Sequence, residues 1–140
     1  MTVEVRWHDE EERVQLYEFT GKWTWDEAYE AHHTGEAMAK SKPYTIYVLA
    51  VTTDHAAHYH IPPGSISHLS NLSRLMTPNA ALAVIVTGNG LWLALDRAVN
   101  RVSKYYRNRI RFVRTIEEAY KLFEEKGLVR HPQTDVNPTP

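Results

Sequence analysis

Asp54, His55, His58 and His60 fall close together in one polar stretch, and His68 follows on the next element. Imidazole and carboxylate are ligands for zinc, nickel or iron. In an extended segment His58 and His60 point the same way, so two rings can reach one ion. With an open metal position and a general base, such a cluster would support a metal-dependent enzyme built on residues 54–60. The plainer account is a polar loop that happens to be rich in histidine. The chain has no cysteine. Disulfides, thiol catalysis and every zinc site that needs Cys are therefore excluded, and the Cys/His spacings of structural metal sites are absent. No catalytic or cofactor motif is complete, so the expectation is a protein that is not an enzyme, with no metal and no cofactor.

Three other groups of residues carry chemistry. Ser65, Ser67, Ser70 and Ser73 recur along one segment. Ser65 reads as a helix cap, or as a phosphosite whose phosphate would meet free N–H groups at a helix N-terminus. Thr87-Gly88-Asn89-Gly90 stands between a strand and a helix, where backbone N–H groups can hold an anion. It lacks the Gly-Lys-Ser/Thr ending of a P-loop and is not GxGxxG, so a simple turn is the plainer reading. Arg97, Arg101, Lys104, Arg107, Arg109, Arg111 and Arg114 form a basic run around Tyr105 and Tyr106. Such a run suits nucleic acid or phospholipid, but is usually a solvated face. The net charge of −1 and the lack of a reading motif argue against nucleic acid. The first third of the chain is acidic, so a self-complementary contact in a homodimer is also open.

The elements that must position these residues follow from periodicity. Val3, Val5 and Trp7 alternate with polar residues, and Val14 to Phe19 follow a polar turn, which predicts an antiparallel hairpin. Thr24 with Glu27 is a capping box for a helix to about Lys40, its inner face Trp25, Ala28, Ala31 or His32, and Met38. Tyr44–Val51 and Ala80–Val86 are apolar at nearly every position, as strands in the middle of a parallel sheet are. Ile66, Leu69, Leu72, Leu75 and Met76 make the stripe of a second helix between them, which Ser65 would cap. The connection through residues 52–64 is long for a loop in such a unit. A third helix is expected over 91–106 with Leu91, Leu95, Ala98, Val102 and Tyr105 on one face. Trp92 and Leu93 widen its apolar surface, as core, pocket wall or subunit interface. A strand at 110–113 and a helix opened by the capping box Thr115/Glu118 close the domain, with Gly127 as its stop. A single α/β domain is therefore expected over 1–127, with a mixed, mostly parallel sheet of about five strands, an N-terminal antiparallel hairpin and about four helices. Residues 128–140 read as a loose tail. The length of 140 residues suffices for one core. No signal core and no apolar run approaching the ~20 residues of a bilayer span is present, which suggests a cytoplasmic protein without membrane insertion.

This order of elements resembles the STAS domain of anti-sigma-factor antagonists and its SpoIIAA-like relatives, over about residues 2–126. The strand Tyr47–Val51 leads toward a serine-bearing helix, Leu82–Val86 is followed by Thr87-Gly88, and Ile110-Arg111-Phe112 leads into Thr115-Ile116-Glu117-Glu118-Ala119. The regulatory members carry an Asp-Ser-x-Gly-type motif whose Ser or Thr is phosphorylated. The corresponding turn here is Pro62-Pro63-Gly64-Ser65-Ile66-Ser67, which keeps the serine but not the Asp or the following Gly. The resemblance implies a non-catalytic regulatory or binding module. It would act through a protein partner or small ligand near the starts of the second and third helices, at Asp54, His58, His60, Ser65, Asn89 and Trp92. A branch of the family without the motif is associated with lipid or small apolar ligands, so a carrier with an apolar pocket that includes Trp92 is the alternative.

Overall fold

A computed structural model describes residues 2–103, 106 and 109–129. The alternating segment forms β1 (Val3–Trp7), antiparallel to β2 (Val14–Phe19). The acidic turn between them is organised, since the Asp9 carboxylate accepts the backbone N–H groups of Arg13 and Val14. The capping box of Thr24 and Glu27 opens α1 (Trp25–Lys40). Then come β3 (Ile46–Thr52), a short α2 (His55–Tyr59), α3 (Ser65–Leu75), β4 (Ala80–Val86), α4 (Gly90–Val102), β5 (Ile110–Val113) and α5 (Ile116–Glu125). The second capping box, Thr115 with Glu118, opens α5. Gly127 beyond it takes φ +114, a conformation that side chains resist.

The sheet is five-stranded, in the order β1-β2-β3-β4-β5, with β2 to β5 all parallel. It is the α/β architecture, hairpin included, that the patterning predicts. Each parallel step joins neighbours and moves in the same direction across the sheet. Right-handed crossovers then put α1, α3 and α4 on one face. The packing agrees: Trp25, Ala28, Leu69, Trp92 and Val99 share one core cluster, while Ala119 and Phe123 of α5 join Leu16, Tyr47, Leu49, Leu82 and Val84 in another. Asn79 fastens the turn before β4 by donating Nδ2 toward the carbonyls of Ala39 (2.9 Å), Tyr44 (3.1 Å) and Lys42 (3.4 Å).

Four local expectations are corrected. The connection 52–64 is not one loop: Asp54 caps α2 by accepting the Ala57 N–H. The cap of α3 is Gly64 at φ +80, and Ser65 is its first residue. The inner face of α4 is Trp92, Leu95 and Val99, while Leu91 and Val102 are 65% and 71% exposed. So many positions of α4 are apolar that two stripes are compatible with the sequence, and the larger Trp92 takes the buried one. Leu128, assigned to the tail, is buried beside Phe123, so the packed domain includes it. The rest of the expected tail, 130–140, and Lys104, Tyr105 and Arg107 of the basic run lie outside the described residues.

Candidate functional site

The two faces of the sheet are sealed unequally. On the face covered by α5 alone, Leu49 and Val84 have no exposure and Tyr47 and Leu82 almost none. On the face covered by three helices, Val48, Ala50, Ala83 and Ile85 are only partly buried. The reason is a slot of about 150 Å³ between the sheet and the helices, walled by the inward residues of β2, β3, β4 and β5 and by α1 and α3. Several of its wall residues are small: Ala28, Gly35, Ala39, Ala50, Ala80 and Ala83. Large side chains would otherwise fill that space to the usual density of a protein interior.

Its roof is divided. α1 packs along β1, and α3 packs along α4, but α1 and α3 make no comparably close contact. Side chains bridge the seam instead. Tyr29 Oη meets His68 Nδ1 at 2.8 Å and accepts Asn71 Nδ2 at 3.0 Å. The His68 ring stacks on Trp25 at 4.9 Å. Further along, His32 lies beside the Leu75 carbonyl, and burial lowers its pKa.

The slot has an aromatic end and a more polar end. At the C-terminal ends of the strands stand Phe19, Trp23, Trp25, Trp92 and Phe112. Trp23 meets Trp25 edge-on at 4.9 Å and lies nearly parallel to Trp92 at 6.1 Å, both within the range of favourable ring pairs. Trp25 donates Nε1 to the Pro62 carbonyl at 3.5 Å. The Trp23 Nε1, in contrast, is buried with no acceptor among the described residues. At the other end lie Gln15, Tyr17, Gly35 and Thr77. Gln15 donates Nε2 to the Gly35 carbonyl at 2.7 Å. The Thr77 hydroxyl, like the Trp23 N–H, is buried without a partner. Burial pushes the Tyr17 phenol well above its ordinary pKa, so it stays neutral. Such orphaned polar atoms are uncommon in a folded interior.

Of the residues singled out in the sequence, Trp92 lines the slot. His60 supports its wall, with Nε2 at 2.8 Å from the Trp23 carbonyl and its ring against the Trp23 indole. Asn89 caps α4 and donates Nδ2 to the His58 carbonyl, fixing α2 to the start of α4. Asp54 accepts the Ala57 and Gly21 N–H groups, which together hold its pKa below the ordinary value. Ser65 is 5% exposed and donates Oγ to the Pro62 carbonyl. Because 55–59 is helical, His58 and His60 do not share the side expected of an extended segment. No three His, Asp or Glu side chains among the described residues come together as a metal site. Sequence reasoning missed Trp23, Thr77 and Tyr17. The available signal was small residues, Ala50 and Ala83, at the middle of strands otherwise rich in large ones.

Compared with family models, curated proteins and solved structures, the chain matches none. Among the described residues no helix is long and apolar enough to cross a membrane.

Proposed function

We propose that this protein binds a small apolar molecule in the slot between the sheet and the α1–α3 roof, as a carrier or sensor and without catalysis. The observation that carries this reading is the partial exposure of mid-strand residues beneath three covering helices. An apolar space of this order, about 150 Å³, is large enough for a molecule of benzene size. The aromatic end supplies large ring surfaces for such a guest, and few polar groups interrupt the wall. Among the described residues no recognised arrangement of nucleophile, base and oxyanion donors accompanies it, so binding is the simplest use of the space.

The test is binding by the full chain. Titration calorimetry with benzene and with decane should give saturable binding, and native mass spectrometry of freshly purified protein should reveal any guest that is lost on denaturation. Absence of binding by both probes, with no retained mass, would end this reading.

A second reading follows from the STAS resemblance and has its own observation. Tyr59 and Leu91, which flank the His58–Asn89 bond, are 61% and 65% exposed. A protein partner, or a second copy of this chain, would cover them. Sedimentation velocity of wild type and Leu91→Ser decides for the second copy: equal, concentration-independent mass would exclude self-association there.

A further inference from the structure

We propose that β1 is an interface between two copies of this chain, pairing antiparallel with itself about a two-fold axis at Val5, so that the two sheets run on as one.

β1 is an end strand of the sheet. Its ladder to β2 is marked at both ends. The His8 N–H donates to the Val14 carbonyl at 2.7 Å, and the Thr20 N–H donates to the Thr2 carbonyl at 2.7 Å. In an antiparallel pair, bonded and non-bonded residues alternate along each strand. Both bonds assign the same phase. Glu4 and Arg6 turn their backbone groups toward β2, while Val3, Val5 and Trp7 turn theirs outward. Among the described residues no other segment bonds to those outward groups. Proline, lysine and bulges commonly blunt such an edge. β1 has none of them: it reads Val-Glu-Val-Arg-Trp, and its register with β2 is unbroken. Val5 and Trp7 also keep part of their surface open.

The phase restricts the register. Residues with outward groups must bond to one another, so Val3, Val5 and Trp7 of one copy face the same set in the other. Val3 against Val5 would set Glu4 opposite Glu4. Val5 against Trp7 would set Arg6 opposite Arg6. Like charges directly opposite are destabilising. Val5 against Val5 uses the whole strand. It sets Val3 opposite Trp7, and Glu4 opposite Arg6 on both sides of the axis. Glu4 and Arg6 then form a non-bonded pair, the kind whose side chains lie closest.

The charges of the single chain favour the same arrangement. Glu4 stands opposite Glu18 of β2, a like-charged cross-strand pair. Arg6 reaches Glu18, and both Glu4 and Arg6 are exposed. In the paired form Arg6 of the second copy stands directly opposite Glu4 and offsets that repulsion. The other edge of the sheet differs: Arg109, Arg111 and Arg114 lie in and around β5, so two such edges repel. The β1 contact uses the same patch on both copies, so it closes as a dimer and does not extend into a filament.

The experiment is sedimentation velocity of the full chain over a wide range of concentration, for wild type, Glu4→Arg, Arg6→Glu and an equal mixture of the two variants. Wild type should carry the mass of two chains and dissociate on dilution. Glu4→Arg alone sets arginine against arginine, and Arg6→Glu alone sets glutamate against glutamate. Each should be a monomer where wild type is a dimer. Mixed, they oppose arginine to glutamate at both positions and should regain the two-chain mass, which unfolded chains would not do. Hydrogen exchange of wild type needs no variant. The Val5 and Trp7 N–H groups should be protected at high concentration and lose protection on dilution, while the Arg6 N–H, bonded to β2, stays protected in both. A wild-type monomer throughout, a dimer that both charge variants leave intact, a mixture of folded variants that stays monomeric, or Val5 exchange that ignores concentration would each overturn the proposal.

Discussion

The Tyr17 hydroxyl occupies the place where the Cβ of any residue other than glycine at position 35 would stand. The Tyr17 ring carbon that bears it would be only 2.9 Å from that Cβ, and Gln15 Oε1 would be 3.3 Å away. A bare α1 backbone therefore lets a tyrosine of β2 lie beneath the helix, at the more polar end of the slot.

Gly35→Ala should force the Tyr17 ring aside, and the slot is the free space beside it. Overpacking of this kind typically costs about 1–3 kcal/mol. The expected outcome is a lower melting temperature together with loss of decane binding. Adding Tyr17→Ala should restore binding. Unaltered binding by Gly35→Ala alone would mean that the ring moves elsewhere.

The unequal faces of the sheet give a paired prediction. Ala50→Leu adds volume to the slot side, where filling a void commonly stabilises by about 0.5–2 kcal/mol. It should abolish decane binding without lowering the melting temperature. Leu49→Ala, one residue earlier and fully buried on the α5 side, should cost about 2–5 kcal/mol and leave binding in the folded fraction unchanged. Urea unfolding and calorimetry on both variants check the asymmetry. A destabilised Ala50→Leu would mean that the slot has no room for the added carbons.

Much of this fold was legible in the sequence, because its strands and capping boxes are local signals. The two capping boxes, the hairpin alternation and the apolar runs of β3 and β4 each depend on residues within a few positions of one another. The slot was not legible in the same way. It arises because small residues from β3, β4 and α1, far apart in the chain, face one another, and only the tertiary arrangement brings Ala50, Ala83 and Gly35 to a common space. The histidine stretch was ambiguous in the sequence for a related reason. Asp54 finds its partners in the Ala57 and Gly21 backbone, and His68 finds Tyr29 and Trp25, so groups suited to a metal are committed to structure.

His32 sets a pH dependence. Burial lowers its pKa from the ordinary 6.5, against an opposing pull from Glu36 and with His33 adding to the decrease. In the unfolded chain the ring takes up a proton near its ordinary value, and in the folded chain only at lower pH. Between those two values the unfolded state binds more protons, so stability is fully present above the ordinary value and is lost as the pH falls toward the folded one. His32→Gln removes the titrating site. Between about pH 7 and pH 5 its unfolding free energy in urea should fall less than that of wild type. Equal slopes would show that His32 has the same proton affinity in both states.

Asn79 is the remaining sensitive position outside the slot. Its amide serves carbonyls on both sides of the α1–β3 turn. Asn79→Ala leaves those carbonyls without this donor and should cost about 1–3 kcal/mol, measured by thermal unfolding. A change below about 0.5 kcal/mol, the scatter of ordinary surface substitutions, would mean that water replaces the amide.

The consecutive order of the strands has a bearing on how the molecule is made. Every parallel pair joins strands that follow one another in the chain, so each newly synthesised strand adds to an edge already in place. Chains emerge N-terminal end first, and the walls supplied by β2, α1, β3, α3 and β4 are all present before α5 has left the ribosome. The face that α5 will cover, with Leu16, Tyr47, Leu49, Leu82 and Val84, is until then an open apolar surface. Transiently exposed apolar surface of this kind favours aggregation, and an early guest in the slot would steady the nascent sheet through that interval from its other side.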